Sequence, residues 1–169
     1  QLIARLLAGE DVALISDAGT PLVSDPGYRL VRSARQQGIR VVPIPGACAM
    51  IAALSTAGLA SDRFAFEGFL PAKQVARTHQ LESVAGDART LIFYEAPHRI
   101  LETLQDMESV FGAEREVVVA RELTKTFETI KGGSLAEMVA WVAADSNQQR
   151  GEIVLLVQGA PKQENADLS

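Results

Sequence analysis

Apolar and polar positions along this chain switch repeatedly between a two-residue and a 3.6-residue period. That pattern predicts strands and helices in alternation with short connections. Residues 2–7 read as the last turns of an amphipathic helix that stops at Gly9. The wholly apolar run 12–15 predicts a short strand buried on both faces. Asp25-Pro26-Gly27 predicts a helix start, with Leu30, Val31 and Ala34 facing inward and a stop at Gly38. Residues 39–43 predict the next strand, and 47–57 an alanine-rich helix closed by Gly58.

The character changes around Ser61-Asp62, which predicts a first lobe over 1–60, a second α/β lobe over 61–160 and a loose polar tail over 161–169. In the second lobe Phe64-Ala65-Phe66-Glu67 predicts a half-exposed strand and residues 73–84 a polar helix. Residues 89–94 predict a strand, followed by a helix opened by Pro97 with Ile100, Leu101, Leu104 and Met107 along one face. Residues 117–120 predict a strand paired with 127–130. A helix over 134–144 carries the capping-box pair Ser134 and Glu137, and 152–158 predicts a last buried strand.

Composition narrows the class. The 169 residues are 47% apolar and 22% charged, the balance of a folded protein rather than a disordered one. A net charge of −5 weighs against holding nucleic acid by bulk charge, while a local basic face stays open. Cys48 is the single cysteine, so neither a disulfide nor a thiolate cluster is expected, and it reads as a small buried side chain. No run is long enough to span a bilayer and no signal peptide opens the chain, so a cytoplasmic setting is expected. The opening residues lack an initiator methionine and a first strand, which predicts a fragment without its first elements.

Candidate chemistry lies in loops after strands. Ser16-Asp17-Ala18-Gly19-Thr20-Pro21 and Pro45-Gly46-Ala47 are small-residue loops that let backbone groups approach a ligand. Asp17 is placed to accept hydrogen bonds from a ligand hydroxyl or amine, or else to cap its own turn. The strand-end segments Tyr94-Glu95 and Arg121-Glu122-Leu123-Thr124-Lys125 offer further polar groups. The dinucleotide fingerprint G-x-G-x-x-G and the P-loop are absent, and His79 and His98 lack paired carboxylates, so no metal is expected.

Six ordered motifs carry a family resemblance. They are Ser16–Pro21 with Ser24-Asp25-Pro26-Gly27-Tyr28, Pro43-Ile44-Pro45-Gly46 with Gly58-Leu59, Phe66-Glu67-Gly68-Phe69-Leu70-Pro71, residues 90–95, Pro97-His98-Arg99, and Ala120 through Lys125. Together they resemble the ribose 2′-O-methyltransferase branch of the tetrapyrrole methylase superfamily, the family of ribosomal RNA small subunit methyltransferase I. The resemblance implies a two-lobed α/β fold, here the remainder of the N-terminal lobe plus a complete C-terminal lobe. It also implies S-adenosylmethionine in the cleft between the lobes, a homodimer, and small-subunit ribosomal RNA as partner. The implied reaction is methylation of a cytidine 2′-hydroxyl in the decoding region.

Carried onto this chain, the resemblance implies cofactor contacts from Asp17, Ala18, Gly19, Thr20, Pro45, Gly46 and Ala47, and from Phe93, Tyr94, Glu95, Leu123 and Thr124. Glu122 and Lys125, with Glu95 as alternative base, are the candidates for handling the hydroxyl proton. Arg29, Arg32, Lys73, Arg77, Arg99 and Lys125 are the candidates for RNA phosphate contacts. The family's opening strand with its Pro-Ile-Gly-Asn-Leu loop, and its Glu-Asp-Thr-Arg segment, do not occur in these residues, so part of the site is expected to lie outside this chain. The tetrapyrrole branch carries a Gly-Asp-Pro loop ending in Gly-Arg-Gly where this chain has residues 16–27, which favours the RNA branch. A small-molecule methylase and a non-catalytic cofactor-binding module are the competing readings.

Overall fold

A computed structural model describes residues 1–162; the tail predicted over 161–169 therefore lies largely outside the described residues. The chain divides into two compact units, Gln1–Cys48 and Ala49 onward. The division falls ahead of the boundary expected near Ser61 because the helix α3 (Ala49–Ala57) buries Ala53 and Leu54 against strands of the second unit.

The first unit contains α1 (Leu2–Leu7) and α2 (Tyr28–Gln36) joined by loops. The start of α2 follows from Gly27, whose φ of 132° suits glycine and whose missing Cβ leaves room for the Leu14 and Leu22 side chains. The strands expected over 12–15 and 39–43 do not form: neither run takes part in a ladder. Ile15 and Ile44 are more than four-fifths exposed. An apolar run marks a segment suited to burial, but a strand also needs a neighbour to take its N–H and C=O groups, and no such neighbour lies within this unit.

The second unit is a five-stranded mixed sheet of order β1-β2-β5-β3-β4, formed by β1 (Phe64–Phe69), β2 (Thr90–Glu95), β3 (Glu116–Arg121), β4 (Thr129–Ser134) and β5 (Ile153–Val157). β1 and β2 are parallel, and the other neighbouring pairs are antiparallel. β4 starts two residues later than Phe127 and runs through Gly132 and Gly133. Gly132 sits against Val118, where a Cβ would come within 3.2 Å of that side chain.

The central strands are buried on both faces, hence their unbroken apolar sequences. On one face Leu91, Phe93, Val117, Val119 and Leu155 pack against α4 (Gln74–Val84), α5 (Ile100–Phe111) and α6 (Leu135–Ala144). On the other, Ile92, Val118, Ala120, Val154 and Leu156 meet α3. Burying each such Leu, Ile or Phe contributes about 1.5–3 kcal/mol. The capping box is formed in full: Glu137 N–H donates to Ser134 Oγ, and Ser134 N–H donates to Glu137 Oε2.

Candidate functional site

In the first unit the two small-residue loops meet. The Thr20 hydroxyl donates to the Ala47 carbonyl at 2.9 Å, and Ala18 N–H donates to Ser16 Oγ at 3.3 Å. Gly19 has φ of 95°, and a Cβ there would touch the same Ala47 oxygen. Gly46 has no atom within 4 Å of where a Cβ would stand, so its backbone is open to approach. Asp17, Ala18, Gly19, Thr20, Pro45, Gly46 and Ala47, chosen from two distant stretches, thus share one stretch of surface, with Asp17 exposed.

In the second unit β1, β2 and β3 run in one direction, so their carboxyl ends share an edge of the sheet. Glu95, Ile153, Arg121 and Thr129 stand side by side across that edge. Strand alternation sends Tyr94 to the face covered by α3, and Phe93 and Glu95 to the opposite face. Tyr94 lies edge-on to Phe66 and Phe69, with ring centroids 4.8 and 5.7 Å away, and its hydroxyl accepts Met50 N–H from the first turn of α3. Leu123 packs on the same face. The Phe93 side chain is fully buried in the core cluster with Leu91, Ile100 and Leu104, so only its backbone is available for the contact expected of it.

Glu95 is also enclosed. Its Oε1 accepts Ala96 N–H and Arg99 Nε–H, and its Oε2 accepts the Thr103 hydroxyl at 2.6 Å. With no exposed side-chain surface it anchors the Pro97–Ile100 turn and has no open path to a substrate proton. Arg99, expected to meet phosphate, is committed to Glu95 and four-fifths covered.

The loop after β3 is held by charges. Glu122 and Thr124 adopt left-handed backbone, with φ of 52° and 64°, a conformation that costs about 1–2 kcal/mol per non-glycine residue. Glu122 Oε1 accepts Glu152 N–H at 2.7 Å and Lys125 Nζ at 3.1 Å, while Lys125 also reaches Glu152 Oε2 at 2.9 Å. The Glu152 amide, then Lys125, holds the Glu122 carboxyl below its ordinary range. Glu152, then Glu122, raises the Lys125 ammonium above its own. Lys125 therefore stays charged at neutral pH and cannot act as a base, whereas Glu122 Oε2 accepts no hydrogen bond among the described residues. Thr124 N–H is taken by Glu128 Oε2 at 2.6 Å.

Two arginines carry most of the unexpected detail. Arg121 is buried, and its guanidinium donates to Gln148 Oε1, Thr129 Oγ1 and the carbonyls of Arg150 and Phe127. It ties this loop to the connection before β5, a role visible in the sequence only as a charge at the end of an apolar strand. Arg77 is a second correction. Expected on a phosphate-binding surface, it is 1% exposed and bonded through Nε to Asp106 at 2.6 Å and through NH1 to the Ala72 carbonyl. Arg29, Arg32 and Lys73 are exposed as expected, whereas Cys48 is partly exposed rather than buried. Among the described residues no group of three or more His, Cys, Asp or Glu is placed to hold a metal, and no helix is long and apolar enough to cross a membrane.

Comparison with known proteins places this geometry. The chain is 66% identical over 168 residues to the ribosomal RNA small subunit methyltransferase I of Pseudomonas aeruginosa, covering 98% of this chain and 60% of that one. It is 57% identical to the protein of the same name from Escherichia coli O157:H7, covering 96% and 57% respectively. The chain thus spans about three-fifths of the length of the curated relatives it matches. Among solved structures, the methyltransferase CobJ superposes with a TM-score of 0.67 at 20% identity, covering 94% of this chain and 68% of that one. Uroporphyrin-III C-methyl transferase from Thermus thermophilus, complexed with S-adenyl homocysteine, gives 0.56 at 19% identity, covering 83% and 62%. These likenesses establish a shared α/β fold. The family model for tetrapyrrole (corrin/porphyrin) methylases matches residues 1–139, and the chain belongs to that family.

Proposed function

We propose that the protein to which this chain belongs transfers a methyl group from S-adenosylmethionine to the 2′-hydroxyl of a cytidine in the decoding region of small-subunit ribosomal RNA. The observation that carries this reading is the 66% identity over 98% of the chain to a ribosomal RNA small subunit methyltransferase I.

The donor chemistry of the first unit fits the cofactor. Gly19 and Gly46 present backbone without a side chain in front of it, and exposed Asp17 is a carboxylate suited to a ribose hydroxyl or an amine. When bound, S-adenosylmethionine supplies an electrophilic methyl carbon on a sulfonium. Asp17, Thr20, Gly46 and Ala47, which share one stretch of surface in the first unit, are the residues we assign to holding it.

A ribose hydroxyl is a weak nucleophile, so alignment is the larger share of the work. Of the three charged candidates Glu122 alone retains an oxygen able to accept the hydroxyl hydrogen. Its depressed pKa makes it a mild base, which suits a step in which the proton is steered rather than fully removed beforehand. Lys125 fixes the carboxylate in place. Arg29, Arg32 and Lys73 supply phosphate contacts. A homodimer in the cytoplasm completes the proposed setting.

The test supplies methyl-labelled S-adenosylmethionine with small ribosomal subunits, naked ribosomal RNA or a tetrapyrrole. Label in subunit RNA is the expected result. Label in the tetrapyrrole alone moves the protein to the other branch, and cofactor binding without transfer leaves a binding module.

A further inference from the structure

Charge is strongly segregated along this acidic chain. Between Asp25 and Asp62 there is no acidic residue, while Arg29, Arg32, Arg35 and Arg40 all fall in that stretch. All four are exposed, and none of them forms an ion pair among the described residues. Four arginines left uncompensated on a protein of net charge −5 make a local positive surface that bulk charge conceals.

Three of them stand on α2 with an aromatic. Tyr28, Arg32 and Arg35 recur at four- and three-residue intervals, with Arg29 alongside, and all four are exposed. The opposite side of α2 is turned inward through Leu30, Val31 and buried Ala34. Tyr28 is 59% exposed, and Arg32 donates to its hydroxyl at 2.6 Å with the guanidinium carbon 6.0 Å from the ring centre. Gly27, closely packed on Leu14 and Leu22, fixes where α2 begins and therefore where the ring emerges.

We infer that this face of α2 is a single-stranded RNA contact, in which Tyr28 stacks on an unpaired base while Arg29, Arg32 and Arg35 hold the flanking phosphates. The inference rests on the proposed RNA substrate and adds the Tyr28 platform and Arg35 to it. An aromatic set among arginines suits a splayed strand, because every base offers a π-face and a guanidinium matches phosphate in a bidentate fork. A purely electrostatic surface has no use for the ring. The Arg32 bond holds the ring in one orientation, which reduces the ordering cost of stacking.

The test measures binding of a short unstructured RNA and of a duplex of equal length over a range of salt. Tyr28→Ala is expected to weaken single-strand binding about tenfold and to leave the slope of log affinity against log salt unchanged. Tyr28→Phe, which keeps the ring, should bind within about twofold of the parent and shows that the fold is intact. Arg29→Gln, Arg32→Gln and Arg35→Gln should each reduce the magnitude of the slope by about 0.7. Unchanged single-strand affinity for Tyr28→Ala, equal losses for single strand and duplex, or binding to anionic lipid vesicles in place of RNA would each overturn the inference. Label transfer separates this from the functional reading. Normal RNA methylation by Tyr28→Ala at the parent KM removes the platform alone, whereas a parent protein that labels a tetrapyrrole and no RNA removes the reading beneath it.

Discussion

Thr20 donates its hydroxyl to the Ala47 carbonyl across 2.9 Å and so joins two loops that α2 separates in the chain. Replacing it with valine keeps the shape and removes the donor. Both groups reach the surface, so water can take the carbonyl and the stability loss should lie near the low end of about 0.5–1.5 kcal/mol. Cofactor affinity should fall severalfold more than stability alone explains. Calorimetric titration of Thr20→Val with S-adenosylmethionine checks this, and unchanged affinity would show that the tether does not shape the site.

Arg77 and Asp106 form a buried pair, and the two partners are unequal to lose. Asp106→Ala leaves the buried Arg77 guanidinium with only the 3.4 Å contact to exposed Glu102 and the Pro71 and Ala72 carbonyls, and should cost near the low end of about 3–5 kcal/mol, measured by urea unfolding. The double variant Arg77→Met with Asp106→Leu should cost much less, because no buried charge remains unpaired. Neither change should alter the salt dependence of RNA binding, in contrast to changes at Arg29 and Arg32.

Asp87 titrates near 2, held down by the Arg89 side chain and then by the Arg89 amide. A carboxylate whose folded pKa is depressed contributes stability that is complete above its unfolded value and is lost as pH falls through the folded one. The thermal midpoint should therefore decline between about pH 4 and pH 2, and Asp87→Asn should flatten part of that decline. Glu122 acts with the same sign. The raised Lys125 adds a contribution with the opposite sign, lost only in strongly alkaline solution. An acid limb identical in Asp87→Asn would assign the decline to other groups.

Gly151 has φ of 83°, and a Cβ at that position would collide with the Glu122 carboxylate. Gly151→Ala should cost about 1–2 kcal/mol from backbone strain, plus the displaced Glu122 bonds. In a Glu122→Ala background the same change should cost only the strain. A double-mutant cycle measures the difference, and additive values would mean that the two positions do not interact.

Much of the fold was legible because its signals are local. Gly27 ahead of α2, Ser134 with Glu137 at α6, Pro97 before α5 and the unbroken run of β5 each depend on residues within a few positions. What escaped depends on distant partners. The runs 12–15 and 39–43 have strand composition but no ladder within the first unit. The burial of the Phe93 side chain escaped because a strand's alternation does not say which face meets which helix until α5 and α3 are packed. Arg77 escaped because its partner, Asp106, lies on another helix. At the site, the small-residue loops were legible as loops, while their joining through Thr20 and Ala47 was not. The pairing of Glu122 with Glu152 spans 30 positions and left no trace in local pattern.

The 2′-oxygen of a cytidine is the proposed methyl acceptor. Small-subunit RNA labelled from methyl-labelled S-adenosylmethionine, digested to nucleosides and separated, tests it most directly. The label is expected in 2′-O-methylcytidine, with its single-turnover rate reduced in Glu122→Gln. Label in a base-methylated nucleoside, or none in RNA while a tetrapyrrole accepts it, would contradict 2′-O-methylation of the RNA.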